Sequence, residues 1–431
     1  MSVAIEIFER ESEKINSMEC VRRVNDYHGL NTVIVYTDSP MVEIRVKFGH
    51  GAHHDSIPGT HHALEHMLFS GRNEQIVSAL EMLGANINAY TDRTSIVFIA
   101  SCVHDVAGDV LELLANMLTP EGFSIDPAQW EKEKTTIQSE RVGYETSQDE
   151  IYWTELTSLL INDKRTVVGH KEDIDSITPE ILMKEYNDMY FRQNVTVAIM
   201  CNTSIYKYAI EKFLDALVES IPLRPDFHTD DIAPPSHIII DTEHLVHNEH
   251  VNSNELGVTY AFDVAPDNIY FDTILMMLVV HLGDGVSSPV MKRLREKYGH
   301  VYEANAFMDR TSWGSSLMFN VNVDGKPVDE YRNEIDAIVY ELTTFGLSVS
   351  DYTKMINRTK FILGTRMSHA SDAISAVMYG LNVGSDVIYP TSVQMEILRN
   401  MTPGDFNAVV NSLFTDHVQA KVVFSLLPEN K

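Results

Sequence analysis

His62 and His66 stand four residues apart in the stretch HHALEHMLFSG (61–71), with Glu65 between them. On a helix, residues four apart stack on one face, so two imidazoles at this spacing can hold one Zn²⁺ at about 2.0–2.1 Å. Glu65 follows His62 by three positions, shares that face, and can reach a water on the metal as a general base. The pattern HxxEH is the reverse of the HExxH order of zinc peptidases. The same spacing also arises on ordinary helices, and His53, His54 and His61 raise the local density of histidine. Five residues alone leave both readings open.

A catalytic zinc needs a third protein ligand and an open position. Glu133 and Glu140 offer that ligand. They are two helical turns apart on one face, with Ile137 between them, so one could bind the metal while the other supports a ligand from behind.

These residues need elements to hold them. Pro58-Gly59-Thr60 breaks the chain, Thr60 reads as the cap of a helix to about Phe69, and Gly71 as its stop. Asn73–Leu83 has apolar residues at 76, 77, 80 and 83 and is followed by Gly84, which predicts an amphipathic helix. Asp126-Pro127 predicts a helix start, with Asp as cap and Pro in the first turn, running to about Ser147. Thr32–Tyr36 and Val42–Phe48 read as adjacent strands around Asp38-Ser39-Pro40, Ile87–Cys102 as one alternating strand, and Val195–Cys201 as another.

The chain also repeats itself. NAYTDRTS (88–95) returns as NAFMDRTS (305–312), an offset of 217 from 88 to 305. GFSIDPAQW from Gly122 is similar to GLSVSDYTK from Gly346, and Ile177-Thr178-Pro179 to Met401-Thr402-Pro403, both at an offset of 224. Three matches in one order imply duplication of a unit of about 215 residues. The expected class is α+β: two homologous domains, 1–223 and 237–431, each a mostly antiparallel sheet packed with helices. The proline-containing stretch 224–236 reads as their linker. At these offsets His62, Glu65, His66 and Glu140 correspond to Val279, Leu282, Gly283 and Gly364, so one metal per chain is expected.

The 431 residues carry a formal charge of −29, which argues against nucleic-acid binding. The charge suits basic peptides, and equally a solvated acidic surface. No apolar run approaches the roughly 20 residues of a membrane span, and MSVAIEIFERESEKINS has neither signal- nor transit-peptide character. A cytoplasmic chain, off the membrane, is the expectation. Cys20, Cys102 and Cys201 are odd in number and widely spaced, which suits buried thiols in a reducing compartment.

Taken together, GTHHALEHMLFSG (59–71), WEKEKTTIQSERVGYE (130–145), NAYTDRTS and SSPVMKRLREKYGHVYEANAF (287–307) resemble the pitrilysin family of zinc peptidases, including the mitochondrial processing peptidase subunits. The resemblance implies that His62, His66 and Glu140 bind one Zn²⁺ per chain, that Glu65 is the general base, and that Glu133 supports the site from behind. It implies that Arg295 and Tyr302 contact substrate, and that an extended peptide pairs with the strand at Asn88, Ala89, Tyr90 and Thr91. A closed chamber in this family needs four such domains. Hence the implied partner is a second copy in a homodimer, or an inactive homologue in a heterodimer. The implied function is a zinc-dependent endopeptidase of peptides or unfolded segments. The alternative is a non-catalytic scaffold or partner subunit of the same fold. The sequence departs from the family pattern at His61, at Ser139 and at Gly299-His300-Val301.

Overall fold

The computed structural model describes residues 22–429 apart from 24, 37–38, 120–122, 162, 203–206, 227–240, 265–267, 300, 312–313, 324–326, 383–386 and 389–390. Of the expected linker, residues 227–236 lie outside the described residues, as do Gly122 and Ser312 of the repeat.

Alternating sequence builds two sheets. Strands β2 (Asn25–Tyr27), β3 (Leu30–Tyr36), β4 (Met41–Phe48), β5 (Asn86–Thr91), β6 (Ile96–Val103) and β7 (Val195–Cys201) form a six-stranded sheet in the order β2-β3-β7-β4-β6-β5. Strands β8 (Thr242–Asn248), β9 (Asn254–Phe262), β10 (Val301–Thr311), β11 (Gly314–Val323) and β13 (Val418–Pro428) form a five-stranded sheet in the order β10-β11-β9-β13-β8. Each sheet holds one parallel pair, β3–β7 and β13–β8, among antiparallel neighbours. The class is the expected α+β, twice over. A short antiparallel pairing of β1 (Arg22–Arg23) with β12 (Val387–Ile388) also ties the beginning of the described chain to its second half.

Two strand expectations are corrected. β3 and β4 are neighbours in sequence only, because β7 inserts between them and pairs with both. The stretch 87–102 is a hairpin rather than one strand. Asp92 turns the chain: its Oδ1 accepts the N–H groups of Thr94 and Ser95, each at 2.7 Å, and its own N–H bonds Ser95 O at 2.8 Å. An Asp side chain that satisfies the next backbone donors is a turn signal that alternation alone conceals.

Four helices position the candidate chemistry: α1 (Thr60–Phe69), α2 (Glu74–Met82), α3 (Pro127–Thr146) and α4 (Gln148–Ile161). α3 starts as its sequence predicts, Asp126 accepting from Ala128 N at 2.7 Å. Asn73 stands at the N-cap of α2, but its side chain makes no capping bond there. It is buried and donates to Leu68 O at 2.8 Å, joining α1 to the next segment.

Period-2 alternation sends Val42, Ile44, Val46 and Phe48 to one face of the first sheet, where they pack with Leu64, Leu68, Trp130 and Ile137 of α1 and α3. The opposite face is covered as well, by a helix from the other half. Ile374, Val377 and Met378 of α8 (Ala370–Asn382) lie against Val33, Val97, Ala198 and Met200. Reciprocally, Tyr152, Leu156 and Leu160 of α4 pack on Met318, Val422, Phe424 and Leu426 of the second sheet. Both faces being dry explains why β7 reads VTVAIMC with so little alternation. Three further helices of the second half matter below: α5 (Ile269–Gly283), α6 (Pro289–Tyr298) and α7 (Val349–Ser368). Among the described residues no helix is long and apolar enough to cross a membrane.

Candidate metal centre

Local rules set the start of α1, although not by the residue expected. Gly59 caps it at φ +89°, and a Cβ there would run into the carbonyl of Val168. The Thr60 hydroxyl turns back to Ile57 O at 2.6 Å. The helix amides are satisfied instead by the buried carboxylate of Asp55, which accepts from Gly59 N at 2.8 Å and His61 N at 2.9 Å. The same carboxylate holds His61 Nδ1 at 2.6 Å. A carboxylate at a helix N-terminus meets both the free donors and the positive end of the dipole. His61 is thus fully buried behind the helix and takes no part in the cluster on its other side.

With α1 fixed, His62 and His66 face α3, their ring centroids 4.8 Å apart. Glu140 meets them from α3: Oε1 lies 3.6 Å from His62 Nε2 and Oε2 3.2 Å from His66 Nε2. One turn pair earlier on α3, Glu133 Oε2 lies 3.6 Å from His66 Nδ1, and Gln129 Nε2 holds its other oxygen at 2.9 Å. Among the described residues this is the only group of three or more His, Cys, Asp or Glu side chains whose donor atoms converge, all within 4.8 Å.

The set fits zinc. Ligands at about 2.0–2.2 Å around a tetrahedral ion stand about 3.3 Å from one another, close to the two Nε2–O separations here. Two imidazoles and one carboxylate are a catalytic rather than a closed structural donor set. The electrostatics favour a cation. Hydrogen bonds and charge from His62 and His66 hold the Glu140 carboxyl well below the usual carboxylate range. Burial opposes charge on His66, yet the hydrogen bond and charge of Glu140, with Glu65 and Glu133, raise its pKa. The site stabilises positive charge between these groups, whether a proton or a metal ion.

Glu65 lies on the same face of α1. Its Oε2 accepts the Thr91 hydroxyl at 2.6 Å, a contact that neither helical spacing nor strand alternation announces. Thr91 ends β5, the edge strand of the sheet, which among the described residues pairs with β6 alone. Along β5, Asn88 and Tyr90 are exposed, whereas Ala89 and Thr91 turn towards the interior. The Ala89 N–H is taken by Asn88 Oδ1 at 2.9 Å.

The remaining sequence candidates lie elsewhere. Arg295 is exposed on the last turn of α6, where Gly299 at φ +68° ends the helix by donating to its carbonyl at 2.9 Å. It forms no hydrogen bond or ion pair with His62, Glu65, His66 or Glu140. Tyr302 lies on β10, its side chain outside the described residues. In the second half the sequence offsets put Val279, Leu282 and Gly283 on α5 and Gly364 on α7, none of them a metal donor. Leu282 is fully buried, and a Cβ at Gly283 would collide with the backbone of Ala306, so no imidazole fits where His66 has its counterpart.

Comparison with known proteins agrees with this architecture. Residues 33–166 match the family described as insulinase (peptidase family M16), and residues 176–359 match the domain described as the peptidase M16 inactive domain. An uncharacterized zinc protease of Bacillus subtilis is 25% identical over 67% of this chain and 70% of its own length. A mitochondrial-processing peptidase subunit beta of Lentinula edodes is 23% identical over 89% of this chain and 82% of its own. The crystal structure of a protease from Helicobacter pylori superposes with a TM-score of 0.79 at 17% identity, covering 95% of this chain and 100% of that one. The chain belongs to the insulinase family of peptidases, family M16, among relatives named as zinc proteases.

Proposed function

We propose that this chain is a zinc-dependent endopeptidase acting on peptides or unfolded segments, with one Zn²⁺ per chain on His62, His66 and Glu140. The observation that carries the reading is the convergence of those three donors beside Glu65, whose carboxylate is bonded to the edge strand. When bound, zinc supplies the Lewis acidity that polarises the scissile carbonyl and acidifies a water. Glu65 takes a proton from the attacking water and delivers it to the nitrogen of the leaving amine. Glu133, beside His66 Nδ1, orients that imidazole and favours its Nε2 as the donor. Asn88, Ala89, Tyr90 and Thr91 present an open strand edge to an extended peptide, whose backbone bonds tolerate many sequences. Arg295 and Tyr302 would grip substrate from a partner subunit, in a homodimer located in the cytoplasm.

Metal analysis paired with a quenched-peptide assay tests this. Purified chain should carry about one zinc, lose cleavage on chelation, and regain it on adding zinc. A chain that binds no zinc, or that binds it and cleaves no peptide, would support the scaffold reading instead.

A further inference from the structure

Strand β5 meets the base directly. Ile87 and Ala89 pack towards the core beside α1, and Thr91 continues that inward face. The Thr91 hydroxyl donates to Glu65 Oε2 at 2.6 Å, engaging one carboxylate oxygen and leaving Oε1 for proton transfer. Glutamate reaches its carboxylate through three rotatable bonds, whereas β-branched threonine is held at χ1 by its strand backbone. A stiff strand residue therefore orients a flexible base. The backbone of the same residue belongs to the sheet edge that is open to a peptide.

We propose that Thr91 is the positioning residue for Glu65, its hydroxyl aiming the carboxylate at the histidine pair and tying the base to the edge strand. The inference rests on reading Glu65 as the base. It explains why a threonine, with both a hydroxyl and a branched carbon, stands at this inward position. The second-copy counterpart, Met308, is apolar, and the counterpart of Glu65 there is Leu282.

Two substitutions separate hydroxyl from shape: Thr91→Val keeps the branched side chain without the donor, and Thr91→Ser keeps the donor. With the full-length, zinc-loaded chain and a quenched peptide, Thr91→Val should lower kcat about tenfold or more and leave KM within about twofold. Thr91→Ser should restore most of kcat. Zinc content, melting temperature and peptide affinity of the metal-free chain should match wild type in both variants. Adding Thr91→Val to Glu65→Gln should cost nothing further, because the hydroxyl acts through the carboxylate. Wild-type kcat in Thr91→Val overturns the proposal. So does a rise in KM alone, which would mark a contact to peptide. A serine variant as slow as the valine one, or parallel losses of stability and activity, overturns it too. If Glu65→Gln itself cleaves like wild type, the base assignment has failed. A slow Glu65→Gln beside a normal Thr91→Val sinks only the positioning role.

Discussion

Glu140 on α3 lies within 3.2 Å of His66 Nε2 on α1, so the candidate ligand set closes only when two distant helices pack. Metal binding should therefore depend on tertiary structure and on each donor separately. We expect Glu140→Gln or His62→Ala to lower bound zinc from about one per chain to near zero, read by elemental analysis after gel filtration. Glu133→Gln, which alters what His66 Nδ1 and Gln129 Nε2 meet, should weaken zinc about 10–100-fold by competition with a chelator. Full zinc in Glu140→Gln would remove it from the ligand set.

His50 and His54 form a second imidazole cluster, ring centroids 4.4 Å apart, on the His61 side of α1. Burial, with the neighbouring His54 and His61, pushes His50 down to about 3; burial and His61 bring His54 to about 4. In the unfolded chain both take up a proton near 6.5. Below that pH the unfolded state binds more protons, so stability falls as pH falls through about 6.5 towards 4, by up to about 1.4 kcal/mol per pH unit for each group. Urea midpoints at pH 7.5 and 5.0 should drop accordingly. His54→Gln should recover about 2 kcal/mol of that loss.

The two halves are locked by an exchanged helix. The Tyr152 hydroxyl of α4 sits where a side chain at Gly257 of β9 would be, and Gln148 Nε2 reaches Glu255 Oε1 at 2.7 Å. Gly257→Ala should destabilise the chain by about 1–3 kcal/mol in urea melts. An unchanged midpoint would show that α4 can shift away.

Helical residues were the most legible part of this site. HxxEH and the Glu133/Glu140 pair follow from a 3.6-residue period, and the Asp-Pro start of α3 fixes the phase of that helix. What escaped depends on long-range packing or side-chain capping: β7 between β3 and β4, the Asp92 turn, Asp55 in place of Thr60 at the start of α1, and Thr91 on Glu65. Asp55, six residues before His61, would be the readable signal of the cap. The exchanged helices α4 and α8 carry no local mark at all, because an amphipathic pattern says that a face is buried but not against which sheet.

Arg295 is exposed and far in sequence from His62, His66 and Glu140, which suits the proposed service to a different subunit. Mixing Glu65→Gln chains with Arg295→Ala chains should restore part of the cleavage that each lacks. No recovery in dimers shown to be mixed would place Arg295 outside the shared site.

Glu65→Gln tests the central claim most directly, because it removes the base while leaving His62, His66 and Glu140 intact. The account predicts a chain that still binds about one zinc and melts like wild type, with cleavage of a quenched peptide reduced about 100-fold or more. Wild-type cleavage by zinc-loaded Glu65→Gln would contradict it.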